Sequence, residues 1–146
     1  MEHIPQYDHT YYLTDYIRTD RLKALLPKLV RILKTVEFDA FAFRGNSGAL
    51  VSVPLALKMN KTMLLVRKEK DCHSNRFVEG DLGARRYVIV DDTIATGRTV
   101  AAIVREINAV APSAKCVGVL ETGCGGKPNA TLRDAYQFVE KLQTDF

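Results

Sequence analysis

Apolar residues in this chain fall into two alternating patterns. Unbroken apolar runs at Ala40 to Phe43, Thr62 to Val66, Tyr87 to Val90 and Cys116 to Leu120 are what strands covered on both faces require. Between them, apolar residues return at helical spacing. Leu22, Leu25, Leu26, Leu29, Val30, Leu33 and Val36 share one face, with Arg21, Lys23, Lys28, Arg31 and Lys34 mostly off it as a solvated basic face. Pro27 lies inside this run, so the helix either kinks or begins there. A second helix is predicted through Ala49, Leu50, Val53, Leu55, Ala56, Leu57 and Met59, with Ser47 as its N-cap. A third runs through Val100, Ala101, Ile103, Val104 and Ile107 and stops near Pro112.

Strands alternating with helices predict an α/β fold: a doubly wound parallel sheet with helices on both faces. If the first strand is central, flanked by the second and third, the turns after the first and third strands border one crevice, where such folds bind ligands. Val78 to Leu82 returns the chain to the sheet as a short hairpin strand. Ala135, Phe138, Val139 and Leu142 predict a packing helix at the end.

The chemistry gathers at those two turns. The third strand runs into Asp91 and Asp92, then Thr93, Ile94, Ala95, Thr96, Gly97, Arg98 and Thr99 lead into a helix. Unpaired amides at a turn and helix N-terminus, with the helix dipole and threonine hydroxyls, make a cradle for phosphate. Two adjacent carboxylates can accept from neighbouring sugar hydroxyls, or hold hydrated Mg²⁺ through water. Phosphate beside a diol describes a ribose 5-phosphate. The turn after the first strand, Arg44-Gly45-Asn46-Ser47-Gly48, offers one guanidinium and two glycines to a second anion.

The stretch VIVDDTIATGRT resembles the phosphoribosyl pyrophosphate (PRPP) signature of the type I phosphoribosyltransferases, and the resemblance extends over roughly Arg44 to Leu120. It implies displacement of pyrophosphate from ribose C1 by a nucleobase nitrogen, with Mg²⁺ on the leaving group. It assigns the ribose diol to Asp91 and Asp92, and the 5-phosphate to Thr93, Ala95, Thr96, Gly97, Arg98 and Thr99. Pyrophosphate falls to Arg44, Gly45, Arg67 and Lys68. Such a reaction needs no covalent nucleophile; the protein stabilises the leaving group, holds the ribose and excludes water. Asp92, Glu69 and Glu79 are the candidate proton acceptors, and the sequence does not separate them.

Val66 to Lys70, VRKEK, resembles the start of the mobile loop in orotate and adenine enzymes, making Arg67 to Arg86 a candidate lid with Lys68, Lys70, His73 and Arg76 able to close over pyrophosphate. Orotate enzymes usually place an arginine just after the fourth strand, where this chain has Glu121 and Thr122. The stretch Tyr11 to Leu26 resembles the corresponding segment of adenine enzymes. Together these favour a purine acceptor, with orotate or another pyrimidine as the alternative. The family also implies a homodimer. A PRPP-binding regulator without catalysis is a second functional class, although no separate DNA-binding segment is evident. A phosphorylation receiver carries its acid pair after the first strand, not the third.

Composition changes this picture little. A chain of 146 residues suits one domain, with a core at about 36–120 and a small hood from 1–35 and 121–146. Four of the six tyrosines (Tyr7, Tyr11, Tyr12, Tyr16) lie in the first segment, an arm over the domain or a cap over a substrate. The glycine-dense loop Glu121 to Pro128 fits neither a P-loop nor a dinucleotide fingerprint. Net charge of +4 suits a small anionic ligand and falls short of a basic nucleic-acid-binding surface. No apolar run approaches a membrane span, and Met1 to Thr19 is too polar for a secretory signal, which predicts a cytoplasmic protein. Cys72, Cys116 and Cys124 lack C-x-x-C spacing and read as free thiols.

Overall fold

A computed structural model describes residues 2–7, 13–68, 76–94, 96–123 and 130–135. Its elements are α1 (Thr14–Ile17), α2 (Thr19–Leu33), β1 (Ala40–Phe43), α3 (Asn46–Met59), β2 (Thr62–Val66), β3 (Val78–Gly80), β4 (Arg86–Asp91), α4 (Arg98–Val110), β5 (Lys115–Glu121) and β6 (Thr131–Arg133). The strands form one sheet in the order β3-β2-β1-β4-β5-β6. The four expected strands are mutually parallel, with β1 between β2 and β4. Two three-residue strands, β3 and β6, close the edges antiparallel, so the sheet is mixed at its margins. The hairpin strand near Val78 is thus present, while β6 lies in a stretch without strand periodicity.

Both faces are covered. Leu25, Leu29 and Leu33 of α2 and Val51 and Leu55 of α3 pack on Phe41, Val88, Val90 and Leu120. On the other face, Val100, Ile103 and Ile107 of α4 pack on Ala42, Leu64, Tyr87, Ile89 and Val119. Consecutive residues of β4 therefore serve opposite cores, which is why its apolar run is unbroken. The basic residues of α2 are exposed, as a solvated face requires. Helix α2 runs through Pro27 from a start at Thr19, and α3 likewise contains Pro54. Below β1, the Asp39 carboxylate accepts from the Arg85 and Arg86 amides at 3.0 and 3.1 Å, pinning the entry of β4; those bonds hold its pKa below the usual carboxylate range.

The pairing of β4 with β5 is irregular. Tyr87 pairs with Cys116, but Val88 pairs with Gly118, so β5 carries an extra residue at Val117. This bulge shifts every later pair by one and sets Glu121 opposite Asp91.

Candidate functional site

The parallel strands β2, β1, β4 and β5 all end at the same edge of the sheet, so Arg67, Arg44, Asp92 and Thr122 leave from it side by side in that order. Between β1 and β4 the fit is close. A Cβ added at Gly48, in the first turn of α3, would lie 2.7 Å from the Val90 carbonyl oxygen and 2.8 Å from Phe43 Cβ. Only glycine lets the start of α3 rest against the end of β4, and the two expected anion turns are thereby brought together.

The β1–α3 turn differs from its expected capping. Gly45 is the N-cap residue and no side chain caps the helix; Ser47 lies inside α3 and is buried. Arg44 is partly buried, and its Nε is enclosed without a hydrogen-bond partner among the described residues. The space above Gly45 is open, with nothing within 4 Å of a notional Cβ.

The β4–α4 turn is organised by its own acids. Asp91 is the last residue of β4 and Asp92 is buried at 6% exposure. Asp91 Oδ1 accepts from the Asp92 amide at 2.9 Å, and Asp92 Oδ1 accepts from the Thr93 amide at 2.7 Å. Burial chiefly, with Asp92 and Glu121 nearby, pushes the Asp91 carboxyl up to about 7. The Ile94 amide donates to Glu121 Oε2 at 2.8 Å, and the Arg98 amide to Thr96 Oγ1 at 3.3 Å. The expectation that these amides point outward unpaired is therefore corrected for Thr93, Ile94 and Arg98, whose neighbours satisfy them. The amides of Thr96, Gly97 and Thr99 carry no hydrogen bond to a described residue and stay open to a ligand. Gly97 caps α4 at φ 80°, a left-handed conformation that only glycine adopts cheaply. Ala95 lies outside the described residues.

Arg67 and Lys68 sit on the far flank, after β2. The Arg67 guanidinium is paired with Glu79 Oε2 at 3.0 Å and its amide donates to Phe77 O, so it is turned toward β3; Lys68 is exposed. That pairing also engages Glu79, one of the candidate proton acceptors. Of the expected lid, Arg76 and the strand β3 are described, while Glu69, Lys70 and His73 fall outside the described residues, as do Tyr11, Tyr12, Cys72, Cys124, most of the glycine-dense loop and the C-terminal helix expected through Phe138.

Two contributions have no clear sequence signal. Tyr16 of α1 is buried, and its hydroxyl bonds Thr122 Oγ1 at 2.7 Å and the Gly123 carbonyl. The Thr122 and Gly123 amides in turn donate to the Asp91 and Asp92 carbonyls at 2.9 and 2.7 Å. The amino-terminal segment is thus fastened to the strand that clamps the acid pair. Four tyrosines in an aperiodic stretch give no reason to choose this one.

No family model matches the chain. Among curated proteins, it is 29% identical to the orotate phosphoribosyltransferase of Sulfolobus acidocaldarius, over 60% of this chain and 45% of that protein. It is 37% identical to the adenine phosphoribosyltransferase of Ureaplasma parvum, over 48% of this chain and 50% of that protein. The chain spans about half the length of the curated relatives it matches. Among solved structures, the orotate phosphoribosyltransferase of Mycobacterium tuberculosis H37Rv superposes with a TM-score of 0.62 at 17% identity, covering 88% of this chain and 71% of that one. The adenine phosphoribosyltransferase of Thermoanaerobacter pseudethanolicus gives 0.59 at 19%, covering 74% and 71%. At such identities the superpositions establish the fold, that of the type I phosphoribosyltransferases, and the sequence matches are to orotate and adenine phosphoribosyltransferases over about half of each relative's length.

Proposed function

We propose that the chain transfers the 5-phosphoribosyl group of PRPP to a nucleobase and releases pyrophosphate, a salvage-type pentosyl transfer. The observation that carries this reading is the packing at Gly48, which presses two anion-receptive turns together at the ends of adjacent central strands. A ribose with phosphate groups at both ends matches a site with an unsatisfied guanidinium on one side and open helix-terminal amides beyond an acid pair on the other.

In this reading Asp91 and Asp92 hold the ribose diol. Thr96, Gly97 and Thr99 take the 5-phosphate on their amides, Thr93, Ala95 and Arg98 are assigned to the same phosphate, and Arg44, Gly45, Arg67 and Lys68 receive pyrophosphate. Lys68, exposed at the root of the lid, neutralises the leaving group as it departs. The paired carboxyls, each with one oxygen held by a backbone amide, also suit Mg²⁺ bound through water, since Mg²⁺ keeps much of its hydration. When bound, the ion supplies positive charge to the pyrophosphate oxygens.

Glu121 and Thr122, standing where orotate enzymes carry an arginine, favour a purine such as adenine. The orotate enzyme of Sulfolobus acidocaldarius is the specific ground for the pyrimidine alternative. A homodimer would cover the exposed Leu50, Val53 and Leu57 on one stripe of α3. No helix among the described residues is long and apolar enough to cross a membrane.

The test is pyrophosphate release from PRPP and Mg²⁺ with adenine, hypoxanthine, guanine, xanthine, orotate and uracil offered singly. Release with adenine is expected. Release with orotate alone overturns the purine assignment, PRPP binding without any release favours a regulator, and no PRPP binding overturns the whole reading.

A further inference from the structure

We propose that Glu121 is a positioning residue for the phosphate turn, fixing through the Ile94 amide the path of the chain as it leaves the acid pair. The inference rests on the PRPP reading and deepens it. Glu121 belongs to β5, yet its Oε2 accepts the Ile94 amide at 2.8 Å, within the turn that follows β4. A carboxylate is among the strongest acceptors a backbone amide can find. Arg133 of β6 stands 3.5 Å from the same oxygen and meets its charge from the other side. Three separate segments thus converge on one carboxylate, between two residues assigned to ribose and those assigned to phosphate.

The bulge at Val117 makes this possible. Without the extra residue the register begun at Tyr87 and Cys116 would set Leu120 opposite Asp91, and a leucine accepts nothing. With it, Glu121 shares the α4 face of the sheet with Asp91, while Leu120 returns to the opposite core. Bulges beside functional sites commonly re-aim a side chain in this way. A carboxylate near a phosphate site is electrostatically costly unless it is engaged, and here both a backbone donor and a guanidinium engage it. The Ile94 amide is consequently withheld from the ligand, and the anion is displaced along the turn to the open amides of Thr96, Gly97 and Thr99.

Hydrogen exchange at the Ile94 amide and calorimetric PRPP affinity, measured on wild type, E121A, E121Q and R133A, test the assignment. E121A is expected to speed Ile94 exchange and to weaken PRPP binding, each by about tenfold, the usual worth of a charge-assisted bond, with the amides of β4 and β5 still protected. E121Q, whose side-chain oxygen accepts the same bond, should restore both to within about threefold, since only the charge is lost. R133A should loosen both by about threefold, as for a half-exposed pair. Unchanged Ile94 exchange in E121A, faster exchange with unchanged PRPP affinity, or E121Q as impaired as E121A each overturns the assignment; were E121A not to fold, an R133A protein unchanged in both readouts would do so. Wild type that fails to bind PRPP is the separate failure of the proposed function, and the inference falls with it.

Discussion

The turn after β1 takes two residues, Arg44 and Gly45, before α3 begins, whereas the turn after β4 takes six, Asp92 to Gly97, before α4. The short turn is held by packing: Gly48 lies against Val90 and Phe43, and nothing caps the helix. The long turn is held by hydrogen bonds, from Asp92 and Thr96 within it and from Asp91 and Glu121 outside it. The difference has a chemical consequence. A turn fixed by packing need not pair its side chains, and the Arg44 Nε is enclosed without a hydrogen-bond partner among the described residues. A turn fixed by hydrogen bonds spends several of its amides on itself and keeps only the last few for an anion.

The largest effect should come from the hydrogen-bonded turn. Asp91→Asn with Asp92→Asn removes both charges while preserving the shapes, and turnover should fall by about 10³-fold or more, as when a preorganised group facing the reaction is lost. Far-ultraviolet circular dichroism should show the fold retained, because Asn accepts the same backbone amides. Activity kept in the folded double mutant would remove the ribose assignment and leave the turn as mere structure.

In the packed turn the corresponding effect falls on stability. Gly48→Ala places a methyl group 2.7 Å from the Val90 carbonyl oxygen, and the nearest atoms are backbone and Cβ that cannot swing aside. A loss of about 1 to 3 kcal/mol is expected in chemical denaturation, the usual range for overpacking. An unchanged denaturation midpoint would mean that the two turns are not pressed together.

Much of this architecture can be read from the chain and some cannot. Strands β1, β2, β4 and β5 and helices α2, α3 and α4 follow from period alone, because strands buried on both faces leave unbroken apolar runs. The placing of β1 between β2 and β4 stands in the sequence only as a condition, because right-handed crossovers set the hand of each connection and not the order of the strands; the sheet meets that condition. The edge strand β6 has three residues, too few to show a period. The bulge at Val117 is invisible for another reason: Val117 is apolar like its neighbours, and the shift appears only against β4. From that hidden shift follow the facing of Glu121 and Asp91 and the satisfied Ile94 amide. The acid pair and Gly97 are legible as a ligand turn, but which amides remain open depends on partners distant in sequence.

A further test reads the acid pair by pH. The folded Asp91 carboxyl lies at about 7 against an ordinary 3.8, so the folded state holds a proton that the unfolded chain has already released. Its favourable contribution is complete below about pH 4 and is lost as pH rises toward 7 and beyond. Wild type should therefore lose thermal stability relative to Asp91→Asn over that interval, by less than the full shift would give because Asp91 is partly solvated. A constant difference between the two proteins from pH 4 to pH 8 would contradict the buried acid pair.

The smallest structural effect should be at Gly45, which makes it the sharpest probe of the packed turn. Its φ of −103° is open to any residue, and a Cβ there meets nothing within 4 Å. Gly45→Ala should therefore change stability by no more than about 0.5 kcal/mol, as at an unconstrained surface position. If pyrophosphate lies against the backbone of this turn, however, the methyl group occupies the space the ligand needs, and PRPP affinity should drop although the protein is as stable as before. Calorimetry beside chemical denaturation separates the two effects. Equal PRPP affinity in Gly45→Ala would place the second anion elsewhere, most directly on the Arg44 side chain alone, and would leave the short turn as a brace for β4 instead of half of a binding site.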